Sequence, residues 1–350
     1  MTGGAGFIGS HACKRLAAGG YRPVVLDDLS RGRRDAVKWG PLETGSTGDR
    51  NRVTEVLDKY KPVAVMHFAS YTSISESVAD PLLYYTNNVD RTSVLLRAVL
   101  DHKPVPFIFS SSASVYGLPK KVPVSEDSLL APVNPYGANK VAVERMLADI
   151  GAAKAMPWTA LRYFNAAGAD PEGEIGENHD PETHLIPLVI RAALNGTQVS
   201  IFGDNYDTPD GTCIRDYVHV MDIAEAHVLA LKYLLGGGRS GPFNLANARG
   251  HSVKEVIATA RPICGRPIAV NLLSAARAIP RRWSDRPNAP AQCSAGRRRV
   301  PTSSSRSATP GAGSSRDRAL SLIAFSAANR CTLRWKMLSP CTRTSMAARA

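Results

Sequence analysis

The chain opens with a glycine-rich stretch that is compatible with few folds. In "TGGAGFIGSH" (residues 2–11), Gly3, Gly6 and Gly9 recur every third residue, and a helical pattern follows. The next apolar run, in "VVLDD", ends at Asp27. A glycine turn between a strand and a helix, with an acidic residue after the next strand, is typical of a dinucleotide-binding unit. The glycines would let the backbone approach a pyrophosphate at the helix N-terminus. Asp27 would bind ribose hydroxyls and repel a 2′-phosphate, which favours NAD over NADP.

The strand that should precede this turn is almost absent. Only Met1 and Thr2 stand before Gly3, although the first strand is central in a sheet of this kind. We therefore expect the start of the chain to lie inside that strand. A strand this short would weaken both the sheet and the cofactor site.

Short apolar runs alternate with helical patterns over residues 1–170. The runs "PVVLDD" (23–28), "AVMHFAS" (64–70) and "PFIFSSS" (106–112) are typical of buried parallel strands, and "RTSVLLRAVLDH" (91–102) is typical of an amphipathic helix. This alternation predicts an α/β fold, a doubly wound parallel sheet of the Rossmann type. We assign residues 1–170 to an NAD-binding domain.

The texture of the sequence changes twice after that domain. Residues 171–272 are richer in Pro and Gly, and we assign them to a smaller substrate-binding region. Residues 273–350 lose all periodicity and are expected to form an irregular, disordered basic tail. Back-translation of residues 279–290 with G/C-rich codons yields, in a shifted frame, an ordinary helix-forming sequence. We therefore interpret the tail as the product of a frameshift near residues 271–276, which an intact, confirmed reading frame of the gene would refute.

The net charge of +13 belongs to the tail and not to the fold. Residues 281–350 contain 14 Lys or Arg and 2 Asp, whereas the whole chain contains 43 basic and 30 acidic residues. The tail lacks interleaved aromatic residues and any recognisable nucleic-acid-binding module, so we predict no nucleic-acid partner. No apolar run approaches the roughly 20 residues that span a bilayer, so we predict no membrane association.

The cysteines and histidines predict neither disulfides nor a metal site. The six cysteines form no C-x-x-C pair, which argues against a structural zinc site and against a disulfide framework. His67, His219 and His227 have no metal-ligand spacing with carboxylates. A reducing cytoplasm is the natural compartment for such a chain.

The segment "NPYGANK" (134–140) places Tyr136 and Lys140 four residues apart at the predicted start of a helix. Residues at this spacing share a helix face, and an ammonium beside a phenol is expected to lower the pKa of the phenol from about 10. Such a tyrosine can remove a hydroxyl proton near neutral pH while hydride leaves the carbon. Ser112, at the end of the run 106–112, would hydrogen-bond the same hydroxyl.

From Thr2 to about Asn271, the chain resembles the extended short-chain dehydrogenase/reductase superfamily and, within it, the nucleotide-sugar epimerases. The resemblance rests on the motifs above and on "LDDLSRG", "ESVADPLLYYTNNV", "SSSASVYG", "LRYFNAAGA", "HLIP" and "IFGDNYDTPDGTCIRDYVHVMDIA". It implies a catalytic set of Ser112, Tyr136 and Lys140. The implied cofactor-binding residues are Gly3, Gly6, Phe7, Ile8, Gly9, Asp27, Asp49 (against the adenine), Phe68, Ala69, Asn87, Tyr136 and Lys140. The implied substrate-binding residues are Ser112, Phe164, Asn165, His184 and Arg215, the last of them against a phosphate.

The resemblance also implies a reaction, the interconversion of UDP-glucose and UDP-galactose in a homodimer that holds NAD. Tyr136 would deprotonate the sugar 4-hydroxyl while hydride passes from C4 to NAD. The 4-keto sugar would then rotate, and hydride would return to its other face. Dimerisation is expected through the helices at 91–102 and 138–150.

Two alternatives stay open within the same superfamily. Sugar-nucleotide dehydratases need an acid–base pair directly after the catalytic Ser or Thr, and here Ala113 and Ser114 follow Ser112. The other alternative is a damaged epimerase that binds NAD with little turnover. The family's Arg-x-Gly-Asp stretch, which helps to hold the UDP phosphates, has no convincing match after "GRPIAV" (265–270).

Overall fold

The computed structural model describes residues 1–119, 123–247 and 249–274. Residues 275–350 lie outside this description. The disordered tail predicted for residues 273–350 therefore lies outside it from residue 275 onward, and so does the end of the interval 271–276 that we assign to a frameshift. Within the described ranges the predicted α/β fold with a Rossmann-type parallel sheet is confirmed. No helix in these ranges combines the length and the apolar character that crossing a bilayer requires.

The secondary structure begins with the helix that follows the glycine turn. The helices are α1 Phe7–Ala18, α2 Arg50–Tyr60, α3 Ile74–Ala79, α4 Pro81–Tyr85, α5 Arg91–His102, α6 Pro135–Lys154, α7 Leu185–Asn195, α8 Val220–Leu235 and α9 Val253–Cys264. The strands are β1 Val25–Asp27, β2 Leu42–Thr44, β3 Val65–His67, β4 Phe107–Ser110, β5 Trp158–Tyr163, β6 Asn165–Ala167, β7 Gln198–Phe202, β8 Ile214–His219, β9 Gly241–Leu245, β10 Gly250–Ser252 and β11 Ala269–Leu273. A π-helical turn, Thr86–Asp90, joins α4 to α5.

A large parallel sheet positions the predicted cofactor site. Strands β1 and β2 pair with each other, and β3, β4, β5 and β9 pair in that order. Thr2 joins the two groups, because it forms parallel bridges to Leu26 of β1 and His67 of β3. Its amide donates to the Met66 carbonyl at 3.0 Å, and the Gly3 amide donates to the Leu26 carbonyl at 3.0 Å. The first strand is therefore a single bridged residue at the centre of the sheet.

Helices cover both faces of this sheet, as the apolar strand sequences require. Phe107 and Phe109 of β4 pack into a core with Leu95 of α5 and Leu147 of α6. Ile108 points to the opposite face and packs with residues of α1 and α8. The strand alternation therefore places α5 and α6 on the same face of the sheet. These two helices contain both predicted dimer segments, and α6 also carries the predicted catalytic residues.

A second layer contains the predicted substrate-binding residues other than Ser112. Strands β10, β8 and β6 form one sheet, β11 pairs with β7 in parallel, and α7 and α9 share an apolar core with them. Residues 220–245 of the predicted substrate-binding region return to the large sheet, because α8 packs on its face and β9 pairs with β5. The chain therefore crosses between the two layers more than once after residue 170.

Candidate active site

The glycine turn is too tight for side chains at Gly3, Gly4 and Gly9, and at Gly3 and Gly9 the obstacle is backbone. Gly3 has a φ of +72°, and a Cβ there would lie 2.5 Å from the Ala69 amide nitrogen. A Cβ on Gly9 would lie 2.2 Å from the Gly3 carbonyl oxygen. Gly6, the N-cap of α1, has more room, since a Cβ there would lie 3.4 Å from its nearest neighbour, the Gly3 carbonyl oxygen. The turn thus presents a side-chain-free surface at the N-terminus of α1, as a pyrophosphate requires.

Asp27 lies at the carboxyl end of β1 and holds the glycine turn in place. Its carboxylate accepts hydrogen bonds from the Ala5 and Leu29 amides, both at 2.9 Å. Burial raises the pKa of this carboxyl group, and the two amide bonds oppose the rise. The acid predicted to bind ribose is therefore next to the turn predicted to bind pyrophosphate.

The remaining predicted cofactor residues come from several elements of the large sheet and its helices. Phe7 and Ile8 begin α1, and Phe68 and Ala69 follow β3 beside Gly3. Two further residues lie on other elements. Asn87 is buried in the π-helical turn, where its side chain contacts Asn88 and Arg91, and such turns are frequent at functional sites. Asp49 caps α2 by accepting a hydrogen bond from the Arg52 amide at 3.1 Å.

The predicted catalytic residues come together at the carboxyl end of β4. Asn134 caps α6 and Pro135 occupies its first turn, which sets Tyr136 and Lys140 on the buried face of the helix. The Lys140 Nζ donates to the Ser110 carbonyl at 2.9 Å and lies 5.6 Å from the centre of the Tyr136 ring. Ser112 interacts with the Tyr136 hydroxyl. The spacing in sequence and the strand end thus converge on one cluster.

The prediction that Lys140 lowers the pKa of Tyr136 is wrong for the chain without a bound cofactor. Burial dominates at Tyr136 and raises its pKa to about 12, while the Ser112 hydroxyl counters the rise. Burial also lowers the pKa of Lys140 to about 7, and Glu144 opposes that change. Both charged forms are disfavoured, because each group loses its hydration in the core. The lysine can therefore gain or lose a proton near neutral pH.

A buried polar network beneath these residues was missed in the sequence analysis. Glu144 lies one turn after Lys140 and pairs with the Arg162 guanidinium of β5, at 3.0 and 3.1 Å from its Nε. Ser111 donates to the same carboxylate at 2.5 Å. Ser110 and Tyr163 also share a short hydrogen bond between their hydroxyl groups. Glu144 follows Tyr136 and Lys140 at the same interval of four residues. Extending the helix face by one more turn in the sequence could therefore have identified it.

The predicted substrate residues lie in the second layer. Phe164 joins β5 to β6, and Asn165 begins β6 and pairs with Tyr217 of β8. Arg215 is on the same strand as Tyr217. Neighbouring strands therefore hold the predicted sugar contact and the predicted phosphate contact.

His184 lies apart from those strands, as the N-cap of α7. Its Nδ1 is 2.5 Å from Glu177 Oε1, and this pairing raises the pKa of His184 to about 10 against the effect of burial. The neighbouring His179 ring lies 6.3 Å from the Phe7 ring. The segment before α7 thus contacts the first residue of the cofactor-turn helix.

Two features of the parallel sheet define a class of enzymes. A glycine turn lies at the end of one strand, and a buried Ser–Tyr–Lys cluster lies at the end of another. The members of this class are dinucleotide-dependent enzymes that act on hydroxyl-bearing substrates. Comparison with known proteins narrows this class, because residues 1–246 match the NAD dependent epimerase/dehydratase family. The chain belongs to that family.

Individual relatives point in the same direction. A UDP-glucose 4-epimerase of Rhizobium meliloti (strain 1021) is 51% identical over 271 residues, which span 77% of this chain and 83% of the relative. The crystal structure of UDP-glucose 4-epimerase from Brucella ovis in complex with NAD superposes with a TM-score of 0.77 at 48% identity, over 79% of this chain and 85% of that one. The enzyme from Bifidobacterium longum, in complex with NAD+ and UDP, gives a TM-score of 0.75 at 35% identity, over 78% and 85%.

Proposed function

We propose that this chain is an NAD-dependent UDP-glucose 4-epimerase. The family membership and the UDP-glucose 4-epimerases among its relatives support this function. The observation that carries it is the buried Ser112–Tyr136–Lys140 cluster at the carboxyl end of β4. That edge of the sheet also holds the glycine turn, so a hydroxyl substrate and a dinucleotide would meet there.

The described residues fit the cofactor NAD. A Cβ at Gly3 or Gly9 would collide with the backbone of the turn, so only glycine allows this close packing. Gly6 has no side chain and leaves the helix N-terminus open to a pyrophosphate. Asp27 would hold the adenosine ribose, because its carboxylate is already aligned by two backbone amides. When bound, NAD supplies the site that accepts hydride and returns it.

The chain's own residues would handle the proton and the charge. Tyr136 would take the proton from the sugar 4-hydroxyl and return it after the sugar has turned. Ser112 would hydrogen-bond the same hydroxyl. Lys140, when protonated, would stabilise the phenolate of Tyr136, and its pKa of about 7 lets the charge respond to the reaction.

The substrate assignments are part of the same proposal. Phe164 and Asn165 would face the sugar, and Arg215 would pair with a UDP phosphate as a charge-assisted donor. His184, at the start of α7, would also face the UDP-sugar. Water elimination is disfavoured, since Ala113 in the helical turn after Ser112 carries no carboxylate.

A turnover assay tests this function. Purified protein is incubated with UDP-galactose, and both the UDP-glucose formed and the NAD released on denaturation are measured. We expect turnover in the wild type, and a loss of about 10²–10⁴-fold with retained NAD in Tyr136→Phe. Bound NAD without wild-type turnover would identify a damaged epimerase. Absence of both NAD and turnover would refute the proposal and point to the single bridged residue, Thr2, as the weak point of the sheet.

The homodimer is proposed from a groove between α5 and α6. Its floor is apolar, with Leu96, Leu100, Met146 and Ile150, and charged residues lie at its rim, as in many protein interfaces. Ile150→Glu should therefore shift the sedimentation coefficient from dimer to monomer. A wild-type protein that sediments as a monomer would refute this surface.

We also propose a division into domains and a compartment. Residues 1–170 would form the NAD-binding domain and residues 171–272 the substrate-binding region. The cysteine pattern supports a cytoplasmic location, because Cys13, Cys213 and Cys264 are free thiols.

A further inference from the structure

The segment between β6 and α7 brings two histidines and two glutamates together. Their potential ligand atoms lie within 4.8 Å of one another, and the residues are Glu177, His179, Glu182 and His184. We propose that this cluster binds a divalent transition-metal ion of the Zn²⁺ class. The inference goes beyond the epimerase function and does not depend on it.

The separations among the four residues fit a tetrahedral ion. Ligand atoms that are each about 2.0–2.1 Å from a zinc ion lie about 3.3 Å apart at the corners of a tetrahedron. His179 Nδ1 is 3.2 Å from Glu177 Oε1 and 3.8 Å from Glu182 Oε1. His184 Nδ1 is 2.5 Å and 3.6 Å from the same two oxygens. The four distances lie on both sides of the expected edge, so a small adjustment would complete the site.

The ion pairs within the cluster leave two of its central atoms without an aligned hydrogen bond. The side chains of Glu177 and Glu182 are 2% and 1% exposed. Yet Glu177 Oε1 and His179 Nδ1 have no aligned hydrogen-bond partner among the described residues. Buried carboxylate and imidazole atoms without aligned partners are costly unless another group completes them. A shared cation would accept lone pairs from both at once.

The backbone already orients one of the proposed ligands. Glu182 Oε1 accepts hydrogen bonds from the Thr183 and His184 amides, at 2.9 and 3.0 Å. Ligating carboxylates are commonly fixed by such outer contacts. The two glutamates would balance a 2+ charge once the imidazoles release their protons to the solvent on binding. Apart from the two histidines, the cation paired with these glutamates in the described ranges is Arg191, 3.7 Å from Glu182 Oε2. Two imidazoles favour Zn²⁺ over Mg²⁺ or Ca²⁺.

A second cluster, of three carboxylates, provides a comparison because a side chain of the protein already neutralises it. Asp170, Glu172 and Glu174 also lie close together. Lys14 occupies their centre, with its Nζ 2.7, 2.6 and 2.5 Å from the three carboxylates. That group already has a lysine at its centre, whereas the histidine–glutamate cluster in the described ranges is held only by its own imidazoles and by Arg191 at its edge.

The test is binding of Zn²⁺ to the full chain. Protein treated with chelator is dialysed against Zn²⁺, and bound metal is counted per chain. We expect one ion per chain in the wild type and at least a tenfold loss of affinity in His179→Asn and in Glu177→Gln. His102→Asn is the matched control, since that ring lies 3.4 Å from one carboxylate, Asp58, outside the cluster. The circular dichroism spectrum confirms that each variant folds.

Substitution with Co²⁺ reports the ligands directly. A tetrahedral nitrogen–oxygen site should give visible d–d bands without thiolate charge transfer. Thiolate bands would assign the metal to cysteines and overturn the proposal. Equal binding by the wild type and His179→Asn would also overturn it, because the cluster would then be an ion-pair group only. Neither result would bear on the epimerase function, since turnover is not a readout.

Discussion

The buried pair between Glu144 and Arg162 should be the most sensitive point beneath the catalytic helix. Both residues are almost fully buried, at 4% and 3% exposure. In Glu144→Ala the guanidinium would keep its bonds to the Tyr116 hydroxyl and the Glu126 carbonyl but lose its counter-charge. The substitution would also leave the Ser111 hydroxyl without its acceptor. The protein would therefore retain an uncompensated positive charge in its core.

The expected cost follows from that residual charge. Breaking a buried ion pair by removing one partner costs about 3–5 kcal/mol. For a chain of this size, such a loss corresponds to a decrease in Tm of about 4–9 °C, because the entropy of unfolding is about 2.1 cal/mol/K per residue. Glu144→Gln should cost less, because an amide oxygen can still accept from Arg162 or Ser111.

Urea denaturation followed by circular dichroism measures this loss. The matched control is Arg145→Ala in the same helix, which breaks an exposed pair with Asp149 at 3.1 Å. That change should alter the free energy of unfolding by less than about 1 kcal/mol. A cost for Glu144→Ala no larger than the control would refute the view that burial makes this pair important.

Three further predictions concern the cofactor turn and the catalytic lysine. Gly9→Ala should abolish NAD retention, because its Cβ would lie 2.2 Å from the Gly3 carbonyl oxygen. Asp27→Asn should weaken NAD binding by about tenfold, since one amide oxygen replaces two acceptors, and should admit NADP. Lys140→Met should flatten the pH dependence of unfolding. Burial holds the pKa of Lys140 at about 7 against 10.5 when unfolded. The unfolded chain therefore binds more protons between these values, and wild-type stability rises with pH there.

Each of these predictions has a control of the same chemistry. Gly236→Ala, at a φ of −81° after α8, should leave NAD retention unchanged. Asp28→Asn tests whether the adjacent acid can replace Asp27 in selecting the cofactor. Lys154→Met, at the exposed end of α6, should leave the pH profile intact. Full NAD occupancy in Gly9→Ala, or the same pH slope in Lys140→Met and the wild type, would contradict the geometry.

Local patterns predicted the elements that local chemistry determines. The helix predicted at 91–102 is α5 with the same bounds, because its apolar period is uninterrupted. The start of α6 follows from an Asn cap and a Pro in the first turn. The strand ends with Asp27 and Ser112 were predictable for the same reason, since buried apolar runs stop at polar residues.

Long-range contacts explain what the sequence analysis missed. The pairing of β9 with β5 joins residues about 80 positions apart, and no local pattern indicates it. The partner of Glu144 lies on β5, so the helix face alone could suggest the glutamate but not Arg162. The pKa values of Tyr136 and Lys140 depend on how deeply both groups are buried, which outweighs their mutual spacing.

One helix, α6, carries both Tyr136 and Glu144. An activity screen of random variants would therefore confuse two kinds of lesion. A change near Glu144 that tilts or frays the helix would misplace Tyr136 and resemble the loss of the proton-transfer group. The two phenotypes separate only when turnover is normalised to the folded fraction of each variant.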